Sequence, residues 1–134
     1  MQLLADELSR DEGNKNHMYL DQKGIPTIGI GHNLRDKPIS NVAVQQIFND
    51  DISEVIADLN THIPWYTQLS DARQRVLANM AYNMGIQGLL QWHGMFSALQ
   101  SGDFESAAQH IEGSLLAKEL PVRSARLASQ MRAG

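Results

Sequence analysis

Apolar positions change their period along this chain. Leu3, Leu4 and Leu8 recur at helical spacing, and Asp11-Glu12-Gly13 follows at once. A glycine there provides a left-handed stop, which predicts a first helix over about 2–12. Between Tyr19 and His32 the pattern becomes that of strands, with Tyr19, Ile25, Thr27, Ile28 and Ile30 interleaved by Gly24, Gly29 and Gly31. Asp21-Gln22-Lys23-Gly24 reads as the turn of a hairpin, and the resulting two or three strands are too few to be stable alone. From Ser40 the period is helical again. Val44, Ile47, Phe48, Ile52, Val55, Ile56 and Leu59 form one stripe that ends before Pro64. Ser70 or Asp71 caps the next helix, whose face carries Val76, Leu77, Met80, Ala81 and Met84 as far as Gly85. Shorter helices are expected at about 86–91, 94–100, 103–112 and 122–131, separated by Gly94, Ser101-Gly102, Gly113 and Pro121. The order of elements is that of an α+β protein: one helix, a small sheet, then a mostly helical body.

Composition narrows the functions open to this layout. With 134 residues, the chain is long enough for one core and short for two independent domains. Its 43% hydrophobic and 19% charged residues describe an ordinary globular protein. Without cysteine there is no disulfide framework, thiolate zinc site or cysteine nucleophile. The net charge of −4 argues against a nucleic-acid partner, which needs a basic face. No apolar run approaches the ~18 residues of a spanning helix, so no stable membrane insertion is expected. Met1 to Lys15 mixes Asp6, Glu7, Arg10, Asp11 and Glu12 with leucines and does not read as an export signal, which points to synthesis in a cytoplasm. A monomer without cofactor is the expectation.

Candidate chemistry lies in the first third. Glu12 ends a helix, where backbone carbonyls disfavour an anion, and Asp11 adds a like charge; both suit a carboxyl that must hold a proton as a general acid. The plainer alternative is a solvated glutamate that tolerates its position. Asp21 sits on the hairpin turn and Thr27 on the return strand. If Thr27, Gly29 and Gly31 share a face, that face offers a hydroxyl followed by two missing side chains, while Pro26, Ile28 and Ile30 turn toward the body. Alternatively, Asp21 is only a turn residue and the glycines mark bulges. Two carboxylates on different elements with a hydroxyl between them fit glycoside hydrolysis.

Asp11-Glu12-Gly13, Tyr19-Leu20-Asp21 and Gly24-Ile25-Pro26-Thr27-Ile28-Gly29-Ile30-Gly31-His32 together resemble the active-site signature of the phage-type, T-even lysozyme family. The similarity continues in order through Phe48-Asn49-Asp50-Asp51, Arg73 to Gly85, and Pro121 to Arg126. The resemblance implies a single lysozyme-like domain over 1–134, with a small β lobe at about 13–40. A helical lobe would cover about 41–134 plus helix 1, with a cleft between the lobes. It implies cleavage of the β-1,4 bond between N-acetylmuramic acid and N-acetylglucosamine in bacterial peptidoglycan. Glu12 would be the general acid, and Asp21 and Thr27 would hold the attacking water of an inverting mechanism.

By the same resemblance Gly31, Asn33, Tyr82, Asn83 and His110 fall at substrate positions, and Arg123 matches an arginine close to the catalytic glutamate. His32 and Asp51 match a structural ion pair. His17, His62 and His93 show no ligand spacing, so no metal is expected. Asp50, Asp51, Glu54 and Asp58 read as a solvated helix face rather than a calcium loop. The segment between His32 and Phe48 is shorter than in the T-even relatives, and Leu116 and Glu119 depart from the residues common there. The acidic balance also departs from the basic charge common among wall hydrolases. The implied setting is a bacteriophage lysis enzyme that reaches the periplasmic wall through a holin lesion or on a virion tail. The alternative is a catalytically silent, wall-binding or toxin-like domain of the same fold.

Overall fold

The computed structural model describes all residues 1–134, and they form two compact units, Met1–Ile47 and Phe48–Gly134. The mostly helical chain with one small antiparallel sheet is the expected α+β, lysozyme-like class.

In the first unit, helix α1 (Gln2–Glu12) stops where Gly13 takes φ 73° and donates its N–H to the Ser9 carbonyl. Three antiparallel strands follow in the order β1 (Lys15–Leu20), β2 (Pro26–Gly29) and β3 (His32–Asn33). Tyr19 pairs with Thr27, and Thr27 with Asn33. Between Lys15 and Tyr19 the register is irregular, so β1 bulges and begins earlier than the Tyr19 start of the apolar pattern. Gly24 closes the first hairpin at φ 75°.

Two expectations about β2 need correction. Thr27 is buried, at 4% exposure, and it is the sole buried residue of this unit. It therefore does not lie on an open face with Gly29 and Gly31. Strand β2 ends at Gly29, and Gly29 and Gly31 both have positive φ around the β2–β3 turn. Ile30, at the tip of that turn, is exposed rather than turned toward the body.

Helix α2 (Asn41–His62) starts in the first unit and ends in the second. Its apolar stripe is mostly not buried: Val44, Ile47, Phe48, Ile52 and Ile56 are exposed, and Leu59 alone is fully covered. At 22 residues the helix is about 33 Å long, and only its last turns, through Val55 and Leu59, reach the core of the second unit.

That core is built by α3 (Asp71–Leu89), α4 (His93–Gln100), α5 (Phe104–Glu112), α6 (Leu115–Glu119) and α7 (Pro121–Ala133). Ser70 caps α3, and Gly85, at φ 76°, breaks its helical path where the pattern predicts a stop. Asp103 and Ser114 cap α5 and α6 with their side chains, and Pro121 opens α7. Leu59, Ile63, Leu77, Met80, Leu89, Met95, Ile111 and Met131 are essentially inaccessible to water. Full burial of each stabilises by ~1.5–3 kcal/mol, which makes this unit the rigid part of the chain. No helix is long and apolar enough to cross a membrane.

Candidate active site

Glu12 is the last residue of α1, and its carboxyl group lies against the backbone of Gly31. A Cβ on Gly31 would stand 2.7 Å from Glu12 Oε2 and 3.0 Å from its Cδ. The turn between β2 and β3 thus supports the acid through a missing side chain.

Asp21 and Thr27 are tied to the same residue of the hairpin. Asp21 Oδ1 accepts the N–H groups of Lys23 at 2.8 Å and Ile25 at 2.9 Å. Thr27 Oγ1 donates to the Ile25 carbonyl at 2.8 Å. Because the hydroxyl proton is given to Ile25, the Thr27 oxygen keeps lone pairs that can accept. The second carboxylate oxygen of Asp21 makes no bond within the chain. Two acceptors are consequently held by one short stretch of backbone.

Beyond β3, the Asn33 amide organises its own loop. Its oxygen accepts from the N–H groups of Arg35 and Asp36, and its nitrogen donates to Asp36 at 3.0 Å. Arg35 pairs with Asp36 at 3.1 Å. Hydrogen bonds from Arg35, then from Asn33, hold the Asp36 carboxyl below the usual range. Asp36 in turn raises the Arg35 guanidinium, with a smaller contribution from Asp21. Arg35, paired with Asp36, is thus also within electrostatic reach of Asp21, which the linear pattern does not signal. The His32 ring nitrogen lies 3.3 Å from the Lys37 carbonyl.

The remaining sequence-selected residues belong to the second unit. Asp51, Glu54 and Asp58 lie at i, i+3 and i+7 on α2 and line a cavity of about 290 Å³ with Tyr82 and Gly85. Tyr82 is 46% exposed and stands edge-on to Phe48 at 6.1 Å, so it is a surface aromatic rather than a core one. Asn83 is exposed beside it. His110 lies over Gly94, where a Cβ would come within 2.4 Å of its ring, and both line a cavity of about 260 Å³ with Trp92 and Ser114. Arg123 donates from Nε to Asn79 Oδ1 at 2.9 Å and from its terminal nitrogen to the Asn79 carbonyl at 3.1 Å.

The match that decides the family is to the phage lysozyme model, and it extends over residues 9–119, most of the chain and all of the Glu12–Asp36 constellation. The chain belongs to the phage lysozyme family. At family level the match supports a lysozyme-type peptidoglycan hydrolase. It is 28% identical to the Pre-baseplate central spike protein Gp5 of Enterobacteria phage T4, over 92% of this chain and 26% of the spike protein. Identity is also 28% to Probable T4-type lysozyme 2 of Dictyostelium discoideum, over 98% of this chain and 94% of that protein. Probable T4-type lysozyme 1 of the same organism is 24% identical over the same shares. The chain thus spans about a quarter of the spike protein and nearly the whole length of the two lysozymes.

Proposed function

We propose that this phage-family lysozyme cleaves the β-1,4 bond between N-acetylmuramic acid and N-acetylglucosamine by an inverting, single-displacement mechanism. Glu12 protonates the leaving oxygen. The attacking water gives one proton to the free oxygen of Asp21, directs its other hydrogen at the Thr27 oxygen, and attacks the anomeric carbon from the opposite face. One C–O bond forms as the other breaks, the proton from Glu12 stays on the departing sugar, and Asp21 takes the water's proton. Inverting sites keep their carboxyls ~6.5–9.5 Å apart so that a water fits.

The observation that carries this reading is the shared anchoring of Asp21 and Thr27 on Ile25, with one Asp21 oxygen and the Thr27 oxygen left able to accept. A water is the natural occupant of such a pair. Gly31, which seats the Glu12 carboxyl, leaves backbone open to a sugar ring, and Asn33, Tyr82, Asn83 and His110 supply further glycan contacts. Arg123, His32 and Asp51 act as supporting residues. The enzyme reaches the periplasmic wall through a membrane lesion during lysis or as part of a phage particle, and it works as a monomer.

Digestion of purified peptidoglycan, followed by NMR of the freshly released reducing ends, tests the proposal. The α-anomer of N-acetylmuramic acid is expected before mutarotation. An initial β-anomer would replace inversion with retention, and an anhydro end would indicate a lytic transglycosylase. No release at all would leave a silent wall-binding domain.

A further inference from the structure

One concavity of the second unit has no part in the catalytic proposal. It measures about 540 Å³, within the ~300–1,000 Å³ span of small-ligand pockets, and its walls include Trp65, Phe104, Gln68, Gln100, Ser101 and Leu69. No charged side chain lines it. Both aromatic walls are fixed from within. Trp65 stands edge-on to Phe96 at 5.7 Å, and the Arg73 guanidinium lies 3.3 Å from the Phe104 ring centre. Arg73 is itself held, donating to the Met131 and Arg132 carbonyls. The short 3-10 turn Pro64–Gln68 that presents Trp65 and Gln68 is clamped by Gln74, whose amide donates to the Thr67 and Leu69 carbonyls.

Against these rigid rings stand two exposed amides, Gln68 and Gln100, that make no hydrogen bond inside the protein. Gly102, at φ 77°, leaves the rim open, with nothing within 4 Å of the position of a Cβ. The chemistry selects among ligands. A phosphate-bearing or anionic partner would find no cation on the wall. A purely apolar segment would cover the two amides and leave their donors and acceptors unpaired, at ~1–3 kcal/mol for each group. A neutral pyranose satisfies both halves, its C–H face on the indole and its hydroxyl and acetamido groups on the amides.

We infer that the Trp65–Phe104 cavity is a second glycan-binding site, selective for neutral N-acetylhexosamine units and separate from the residues assigned to catalysis. It rests on the wall-hydrolase reading only for the glycan it meets; its recognition chemistry stands on the helical unit alone. A site of this kind holds the enzyme on an insoluble polymer between cleavage events.

The test is a titration of the uniformly ¹⁵N-labelled full chain with N-acetylglucosamine trimer, followed by NMR. The chain has two tryptophans, so the Trp65 indole N–H is resolved from that of Trp92 by a Trp92→Phe control. The Trp65 indole and the side-chain amides of Gln68 and Gln100 are expected to shift together and saturate. The Gln68→Ala/Gln100→Ala double variant, altered only at exposed positions, is expected to weaken trimer binding at this site by ~10-fold and to loosen retention on insoluble wall. Its turnover of soluble glycan should equal the parent's. Shifts confined to Trp92 or to residues 1–47, or a double variant that binds trimer like the parent, would overturn the inference. Saturable Trp65 shifts in a protein that releases no reducing ends would sustain this site and reject the hydrolase reading instead.

Discussion

Gly31 is the seat of Glu12: the carboxyl group of the helix-terminal glutamate rests where a side chain of residue 31 would be. Gly31 also has φ 67°, so two independent features require glycine there. Gly31→Ala is expected to cost ~1–2 kcal/mol of backbone strain and to displace the acid. Activity should fall far more than the melting temperature indicates. Lysis rates compared at a temperature where both proteins are folded check this, and parental activity in Gly31→Ala would show that the contact does not set the acid's position.

Glu12→Gln keeps the shape and removes the transferable proton. General acid catalysis contributes ~10²–10⁴-fold, and that is the expected loss in reducing-end release. Stability should be equal or higher, because the change also removes an anion from a helix C-terminus. Release within threefold of the parent would take Glu12 out of the catalytic role.

Under the proposed mechanism Thr27 has two jobs that different substitutions separate. Thr27→Ser keeps both the donor to Ile25 and the accepting oxygen and should be mild. Thr27→Val removes one of the two hydrogen bonds to the Ile25 carbonyl, which keeps that from the Asp21 N–H, at ~0.5–1.5 kcal/mol, and under the proposed mechanism deletes the water contact as well. Chemical denaturation measures the first effect, and turnover of fully folded protein measures the second. A Thr27→Val enzyme with unchanged turnover would show that the hydroxyl orients nothing.

These residues show where the sequence was readable and where it was not. Gly13 and Gly24 punctuate the chain as expected because their positive φ is a local requirement, and local requirements leave local marks. Likewise the stripe Val76, Leu77, Met80, Ala81 is buried as read, since α3 runs through the core. The stripe of α2 has the same periodicity, yet it is largely exposed, because periodicity reports a face and not what covers it. Helix α6 escaped notice: five residues carry too little period, and only the Ser114 cap signals it. The Glu12-Asp21-Thr27 set was legible through its resemblance to a family. Its anchoring on Ile25, the burial of Thr27 and the charge of Arg35 near Asp21 depend on tertiary folding of the hairpin.

Acid sensitivity of the second unit should centre on Arg132. Its guanidinium binds Glu105 at 2.7 Å and also pairs with Glu112. Hydrogen bonds from Arg132 lower both carboxyls, with the Glu105 charge working against Glu112. For groups lowered in the folded state, the stabilisation is complete above the ordinary glutamate value of about 4.3 and is lost as pH falls through the folded values. The difference in melting temperature between the parent and Arg132→Gln should thus be constant above about pH 5 and shrink below about pH 4. It should also shrink in high salt, since these pairs face solvent. A difference independent of pH would assign the effect to packing of the arginine stem.

Ser124 is 1% exposed, and its hydroxyl finds no hydrogen-bond partner. Replacing it with alanine removes an unsatisfied polar atom and improves helix propensity in α7. The expected gain is ~1 kcal/mol, or a rise in melting temperature of ~3–5 °C for a chain of this size, with catalysis unchanged. A fall in stability on calorimetry would mean that the hydroxyl has a partner, such as an ordered water.

That the sole buried residue of Met1–Ile47 is a threonine gives this unit an unusual calorimetric character. Heat capacity of unfolding and urea sensitivity both scale with newly wetted apolar surface, of which these residues have little to expose. Their opening should be nearly invisible to a denaturant slope and vivid to amide exchange, with protons trading quickly along β1–β3 and slowly in α3 and α7. Cold should spare them as well, because hydrogen bonds rather than hydrophobic contacts hold Asp21 and Thr27 in register. A chain built in this way keeps its first unit on a framework of directional bonds and its thermal memory in the helices of the second.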